Sequence, residues 1–318
     1  MSEARWIEFN NWAGIVINGA GNVPKPTTDL HVDRAFYLTS QLEAPHFGSV
    51  QSYDGAAMSG GPLHSVAVLP KSMQQGDFFE LLRHLEIAAP NSTALQTLLR
   101  SYVGKGWTLA RDGVLRNSKT GVAVSGAEIR NTFTPPDGKV PSSGPQFEQA
   151  KQWALLHHAV FSDATTFAGQ RDFAIHNLIN TRKADETLFY KTMNLNTVRV
   201  WMTVIAADAH IPDEEYNNHL TLQEDLAMCM YHAHSVNGPS PAAEVLKSVL
   251  PKHARGLEFA KLLIWSLGKK KFGRWEDTKD GKNRYDRTRD AALASGLWPG
   301  DFFVGATALM PKDLGPQP

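Results

Sequence analysis

Glu43, Asp54 and Ser59 are the residues of this chain whose types and spacing could do chemistry together. Asp54 follows Glu43 by 11 positions, and Ser59 follows Asp54 by five. Splitting a glycosidic bond requires a carboxylic acid to protonate the leaving oxygen. It also requires a second carboxylate that directs water or attacks the sugar. The acid must hold its proton near neutral pH, so its pKa must be raised. Glu43 is placed where a helix ends, and the partial negative charge of a helix C-terminus disfavours a second negative charge. That effect is about 0.3–1 kcal/mol, less than one pKa unit. The larger share falls to shielding from water by neighbours such as Phe47.

The elements that must position these groups are legible nearby. Thr27-Thr28-Asp29 starts a helix, Leu30, Ala35, Phe36, Leu38 and Leu42 give it an apolar stripe, and Pro45 stops it near Glu43. Then comes FGSVQSYDGAAMSGGPLH, with strand-like residues on both sides of Asp54-Gly55 and a second turn at Gly60-Gly61. That is a hairpin pattern. Folded back across a cleft from Glu43, the hairpin would let Asp54 activate a water and Ser59 position it. His64 would face the acid from the far strand. Taken singly, a Glu before a proline reads as a solvated helix end and an Asp-Gly as a plain turn. The catalytic reading rests on their occurring together.

This stretch, Glu43 followed by Tyr53-Asp54-Gly55-x-x-x-Ser59-x-Gly61-x-x-His64, resembles the active-site region of phage-type lysozymes. Those enzymes show a Glu ending the first major helix, then Asp, then Thr, with Gly and His shortly after. The Asp-Gly-x-x-x-Ser-x-Gly run is also similar to a stretch of the bacterial chitosanases, in the same lysozyme-like superfamily. The resemblance covers residues 27–64. It implies Glu43 as general acid, Asp54 as second carboxylate and Ser59 in the place of the family's threonine. Serine in that place is a departure. So is a Glu-to-Asp interval longer than in phage lysozymes and shorter than in chitosanases.

The rest of the chain reads as helix with one small β excursion. Asp77 starts a helix that Pro90 ends, and Asn91 or Ser92 starts another through Tyr102. Residues 105–125 carry short alternating runs around an Asp112-Gly113 turn. Helical patterns then cover roughly 146–161, 163–182, 185–193, 195–209, 220–235, 240–250, 253–268 and 284–295. The expected fold is α+β and predominantly α-helical: a lysozyme-like fold with a small β-hairpin region and a large helical lobe. Residues 1–26 read as an irregular segment and 27–318 as a single composite domain, with the turn-rich segment 132–145 as a boundary or flexible loop.

Other chemistries fit less well. His157-His158 and His232-x-His234 are the closest histidine pairs, but no His-Glu-x-x-His occurs and Cys229 is the single cysteine. No metal and no cofactor is expected, and Cys229 reads as a buried inert thiol. Gly19-Ala-Gly21 lacks the third glycine and the setting of a dinucleotide loop. Tyr53, His64, His232 and Asn237 are the residues expected to line a sugar groove. Trp6, Trp12, Trp107 and Trp153 read as core, with stacking on sugar rings as the other role.

Lys plus Arg total 32 and Asp plus Glu total 32, so no global field points to nucleic acid or to a membrane. The one basic stretch, 269–289, is diluted by Glu276, Asp277, Asp280, Asp286 and Asp290 and reads as a solvated connector. The N-terminus lacks the build of a signal peptide, and no apolar run reaches the ~20 residues of a membrane helix. The expectation is therefore a hydrolase of peptidoglycan made in the cytoplasm, acting in the periplasm or cell wall after non-Sec export or phage lysis. An immunity or inhibitor protein, or a secretion-machine component, would be its protein partner. Chitosan is the alternative polymer. A helical module that binds a glycan or protein without cutting it is the non-enzymatic alternative.

Overall fold

The computed structural model describes residues 5–7, 13–18, 21–27, 31–43, 46–53, 56–60, 77–125, 128, 144–180, 220–235, 239–253, 255–270 and 282–318. The architecture is α+β and mostly helical. The chain divides into two compact units, 1–23 with 43–174, and 24–42 with 175–318. The divisions fall at 23/24, 42/43 and 174/175, not in the turn-rich segment 132–145, of which residues 132–143 lie outside the described residues.

The first unit is built on strands β1 (Arg5–Ile7), β2 (Ala13–Asn18), β5 (Val50–Tyr53) and β6 (Ala56–Gly60), antiparallel in the order β1-β2-β5-β6. Among its described residues the N-terminal stretch, expected to be irregular, therefore carries strands. Its AGIVIN run is a strand whose second neighbour arrives only at Val50, a pairing no local pattern reveals. Two short ribbons accompany the sheet: β3 (Gly21–Asn22) with β4 (His46–Phe47), and β7 (Trp107–Leu109) with β8 (Leu115–Asn117). The second ribbon is the expected β excursion. Its reversal uses Gly113 at φ 75°, where the Gly113 amide donates to the Ala110 carbonyl.

Helices α2 (Asp77–Ala88), α3 (Thr93–Gly104) and α4 (Pro145–Phe161) enclose the first core, and α4 lies on β2, β5 and β6. Phe78, Leu82, Leu85, Leu95, Leu98 and Phe161 are fully buried there. Ser92 caps α3 by accepting from the Leu95 amide at 3.2 Å, and its hydroxyl donates to Asp163 at 2.5 Å. Ser92→Ala removes both bonds and is expected to cost about 1–2 kcal/mol, read as a shift in the urea midpoint.

A buried polar chain crosses this core. The Nδ1 of His157 lies 2.6 Å from the Trp153 carbonyl, which can only accept, so Nδ1 carries the hydrogen. Nε2 is then the acceptor for the Tyr102 hydroxyl at 2.7 Å. Burial lowers the His157 pKa to about 4, against the pull of the Trp153 carbonyl. An unfolded histidine titrates near 6.5. Between those values the unfolded chain binds the proton and the folded chain does not, so stability falls as pH falls. The loss should total roughly 3 kcal/mol by pH 4. Urea midpoints of wild type and His157→Gln across pH 7 to 4 check it. The variant should show a shallower acid slope, and parallel slopes would refute the assignment.

The second unit contains most of α1 (His31–Glu43), together with α6 (Leu222–Ser235), α7 (Pro239–Val249), α8 (Gly256–Lys269) and α9 (Arg284–Ser295). A further helix, α5 (Phe167–Asn180), spans the 174/175 division. The hub is α6, buried from Glu224 to Ser235, with α7, α8 and α9 packed on it. Thr221 and Glu224 form a reciprocal capping box at its start: the Thr221 amide donates to Glu224 at 2.8 Å and the Glu224 amide to Thr221 Oγ1 at 3.3 Å. The same carboxylate accepts from Arg255 and from the Gly256 amide, fixing the first turn of α8. The C-terminal segment is strapped down by Tyr285 donating to the Pro311 carbonyl and Trp265 to the Gly315 carbonyl. Gly268 makes room for it, since a Cβ there would meet Leu314 at 2.3 Å. No described helix is long and apolar enough to cross a membrane.

Candidate functional site

Glu43 is the last residue of α1, is half-buried, and falls with the first unit although the helix before it falls with the second. The chain then enters β4, whose Phe47 pairs in register with Gly21. The Phe47 ring stacks on Phe167 at 4.2 Å and 11°. A Cβ on Gly21 would lie 2.9 Å from that Phe167 ring, so glycine is what lets the strands and the ring pair meet. The expected shield of Glu43 thus has Phe167 against its ring. Gly48 turns the chain at φ 86°, and its carbonyl accepts from Nδ1 of His158 at 2.7 Å. Ser49 donates back to the His46 carbonyl at 3.0 Å. The link between the helix end and the sheet is therefore tied to α4 by a side chain that sequence reasoning treated only as half of a metal-like pair. His157 and His158 in fact serve unrelated partners.

The hairpin forms as expected. Tyr53 pairs with Ala56, so the connection is the two residues Asp54-Gly55, and Gln51 pairs with Ser59. Two steps along β5 answer three along β6, which makes a bulge between the turn and Ser59. Asp54 itself, His64, Asn237 and the second half of the Gly60-Gly61 turn lie outside the described residues. Tyr53 and Ser59 are placed by backbone register, at the end of β5 and within β6. Glu43, Tyr53 and Ser59 share the first unit.

His232 lies on α6 in the second unit, 4% exposed, with its ring 5.5 Å from that of His31. Its i, i+4, i+7 spacing from Asp225 and Cys229 puts it on the inner face of the hub helix, where it is buried.

That inner face carries a cluster the sequence did not reveal. Asp225 Oδ1 accepts from Nδ1 of His31 at 2.7 Å; Oδ2 accepts from Arg34 at 3.1 Å and from the Trp298 indole at 2.6 Å. The Cys229 sulfur lies 3.6 Å from the same Nδ1 and 4.0 Å from Oδ1. All of these side chains are buried. The partners are 191 and 194 residues apart in the chain, so only the Asp225-x-x-x-Cys229 spacing was a local signal. Burial pushes the thiol well above its ordinary pKa, and the Asp225 charge adds to this while Arg34 opposes it. Thiol and carboxylate share one imidazole nitrogen, whereas a nucleophilic triad uses both nitrogens. Cys229 is thus a buried thiol, as expected, in polar company.

No protein-family model, curated protein or solved structure matches this chain.

Trp107 and Trp153 are core, the latter stacked on Tyr102 at 5.6 Å. Trp12 lies outside the described residues. In the basic stretch, Lys270 pairs with Glu244, Lys282 with Asp290, and Arg289 with Asp286 and Asp290. Arg284 is buried and donates to the Ala233 carbonyl. Those four cations are engaged within the protein, and residues 271–281 of the stretch lie outside the described residues.

Proposed function

We propose that this chain is a glycoside hydrolase with a lysozyme-like fold, splitting β-1,4 bonds between amino sugars in peptidoglycan. Glu43 gives its proton to the glycosidic oxygen as the bond from that oxygen to the anomeric carbon breaks. Asp54 stabilises the positive charge on the sugar, or directs the water that replaces the leaving group, and Ser59 helps hold that water. The observation that carries the reading is the order of elements. A helix ends on a half-buried glutamate, and the chain runs through a pinned link into a hairpin whose two-residue turn begins with an aspartate.

Peptidoglycan is preferred to chitosan because a cationic polymer favours a strongly acidic protein, and the charges here balance. The test is incubation of purified protein with bacterial sacculi, followed by mass spectrometry of released muropeptides with new reducing ends. Release of such fragments is expected. Heat of binding to sacculi or chitooligosaccharides without cleavage would replace the hydrolase with a glycan-binding module.

A further inference from the structure

We infer that His31, Asp225 and Cys229 form a zinc site in the second unit, independent of the proposed hydrolytic chemistry. Nδ1 of His31, an oxygen of Asp225 and the Cys229 sulfur all lie within 4.8 Å of one another, and all three residues are buried. Two come from one face of α6, at positions i and i+4, and the third from α1.

A tetrahedral zinc with bonds of about 2.0–2.3 Å needs its ligand atoms roughly 3.4–3.6 Å apart. The sulfur-to-nitrogen distance is already 3.6 Å. The sulfur-to-oxygen distance is 4.0 Å and the nitrogen-to-oxygen distance 2.7 Å. Small χ rotations that close the first of these and open the second bring all three onto one sphere.

The surroundings match what metal carboxylates require. The two oxygens of Asp225 are divided in labour: Oδ1 faces the imidazole and the thiol, while Oδ2 is held by Arg34 and Trp298. Such outer bonds orient a ligating carboxylate and leave its other oxygen for the ion. On binding, Cys229 enters as thiolate with its proton passing to solvent, and the hydrogen that His31 Nδ1 donates to Asp225 is given up in favour of the Nε2–H tautomer, which frees the Nδ1 lone pair for the ion. One sulfur, one nitrogen and one oxygen donor favour zinc over the oxygen-seeking magnesium and calcium. His232, one turn further along α6, is a further imidazole with its ring 5.5 Å from that of His31.

The site ties α1 to α6, so the metal's role would be structural. The test uses the full chain, stripped with chelator and titrated with cobalt(II) as the probe. Wild type should take up one equivalent and show the intense near-ultraviolet band of a thiolate–cobalt bond, displaced by zinc. Cys229→Ser should abolish the band, and His31→Ala should weaken zinc affinity at least tenfold. Folding of each variant is checked by circular dichroism. The wild-type spectrum alone decides the matter if a variant fails to fold. Wild-type protein that binds neither ion above background, or binds cobalt without the thiolate band, overturns the inference.

Discussion

Glu43→Gln is expected to lower muropeptide release by about 10²–10⁴-fold, the range that general acid catalysis supplies. The substitution keeps the shape and polarity of the side chain and removes only the transferable proton. The same change should leave the fold intact, because at the last position of α1 the glutamine amide stands in for a carboxylic acid that is itself uncharged while it holds its proton. Lost activity with unchanged melting temperature separates a missing proton donor from a damaged structure. A variant that digests sacculi at the wild-type rate would end the assignment of Glu43, and with it the resemblance that points to Asp54.

Asp225→Ala should be the most damaging single change in the second unit, costing about 3–5 kcal/mol. Its carboxylate receives an imidazole, a guanidinium and an indole N–H, all buried, and alanine leaves each without that acceptor. Set against a total stability of about 5–15 kcal/mol, this is a large fraction. Urea unfolding should be measured in chelator, so that bound metal does not contribute. A loss below about 1 kcal/mol would mean that water reaches the cluster and restores the missing bonds. Asp225→Asn keeps one oxygen but turns a donor toward groups that are themselves donors, and should recover only part of the loss.

How much of this was legible in the sequence depends on how locally each feature is encoded. Helix ends written by Pro45, Pro90 and Ser92, and the hairpin written by Asp54-Gly55, could be read directly, because capping and turn chemistry act over a few residues. The strand at Ala13–Asn18 was missed because its worth comes from pairing with Val50–Tyr53, well along the chain. The burial of His232 was hidden for a related reason. Its own neighbourhood, ending in Asn237-Gly238-Pro239, looks like the rim of a groove, while its surroundings are set by His31 of α1. The Asp225 cluster needed two helices brought together from opposite halves of the chain, which no window of sequence contains.

Because the chain passes between its two units three times, neither can be excised as a single continuous piece. A fragment of residues 175–318 would lack α1 and with it Ala35 and Leu38 of the core and the His31 and Arg34 partners of Asp225. The arrangement also sets a timetable during synthesis. His31 emerges from the ribosome 194 residues ahead of Asp225. At about 5–20 residues per second, α1 must wait roughly 10–40 s for the helix it is to meet. During that interval its apolar stripe is a natural client for nascent-chain chaperones.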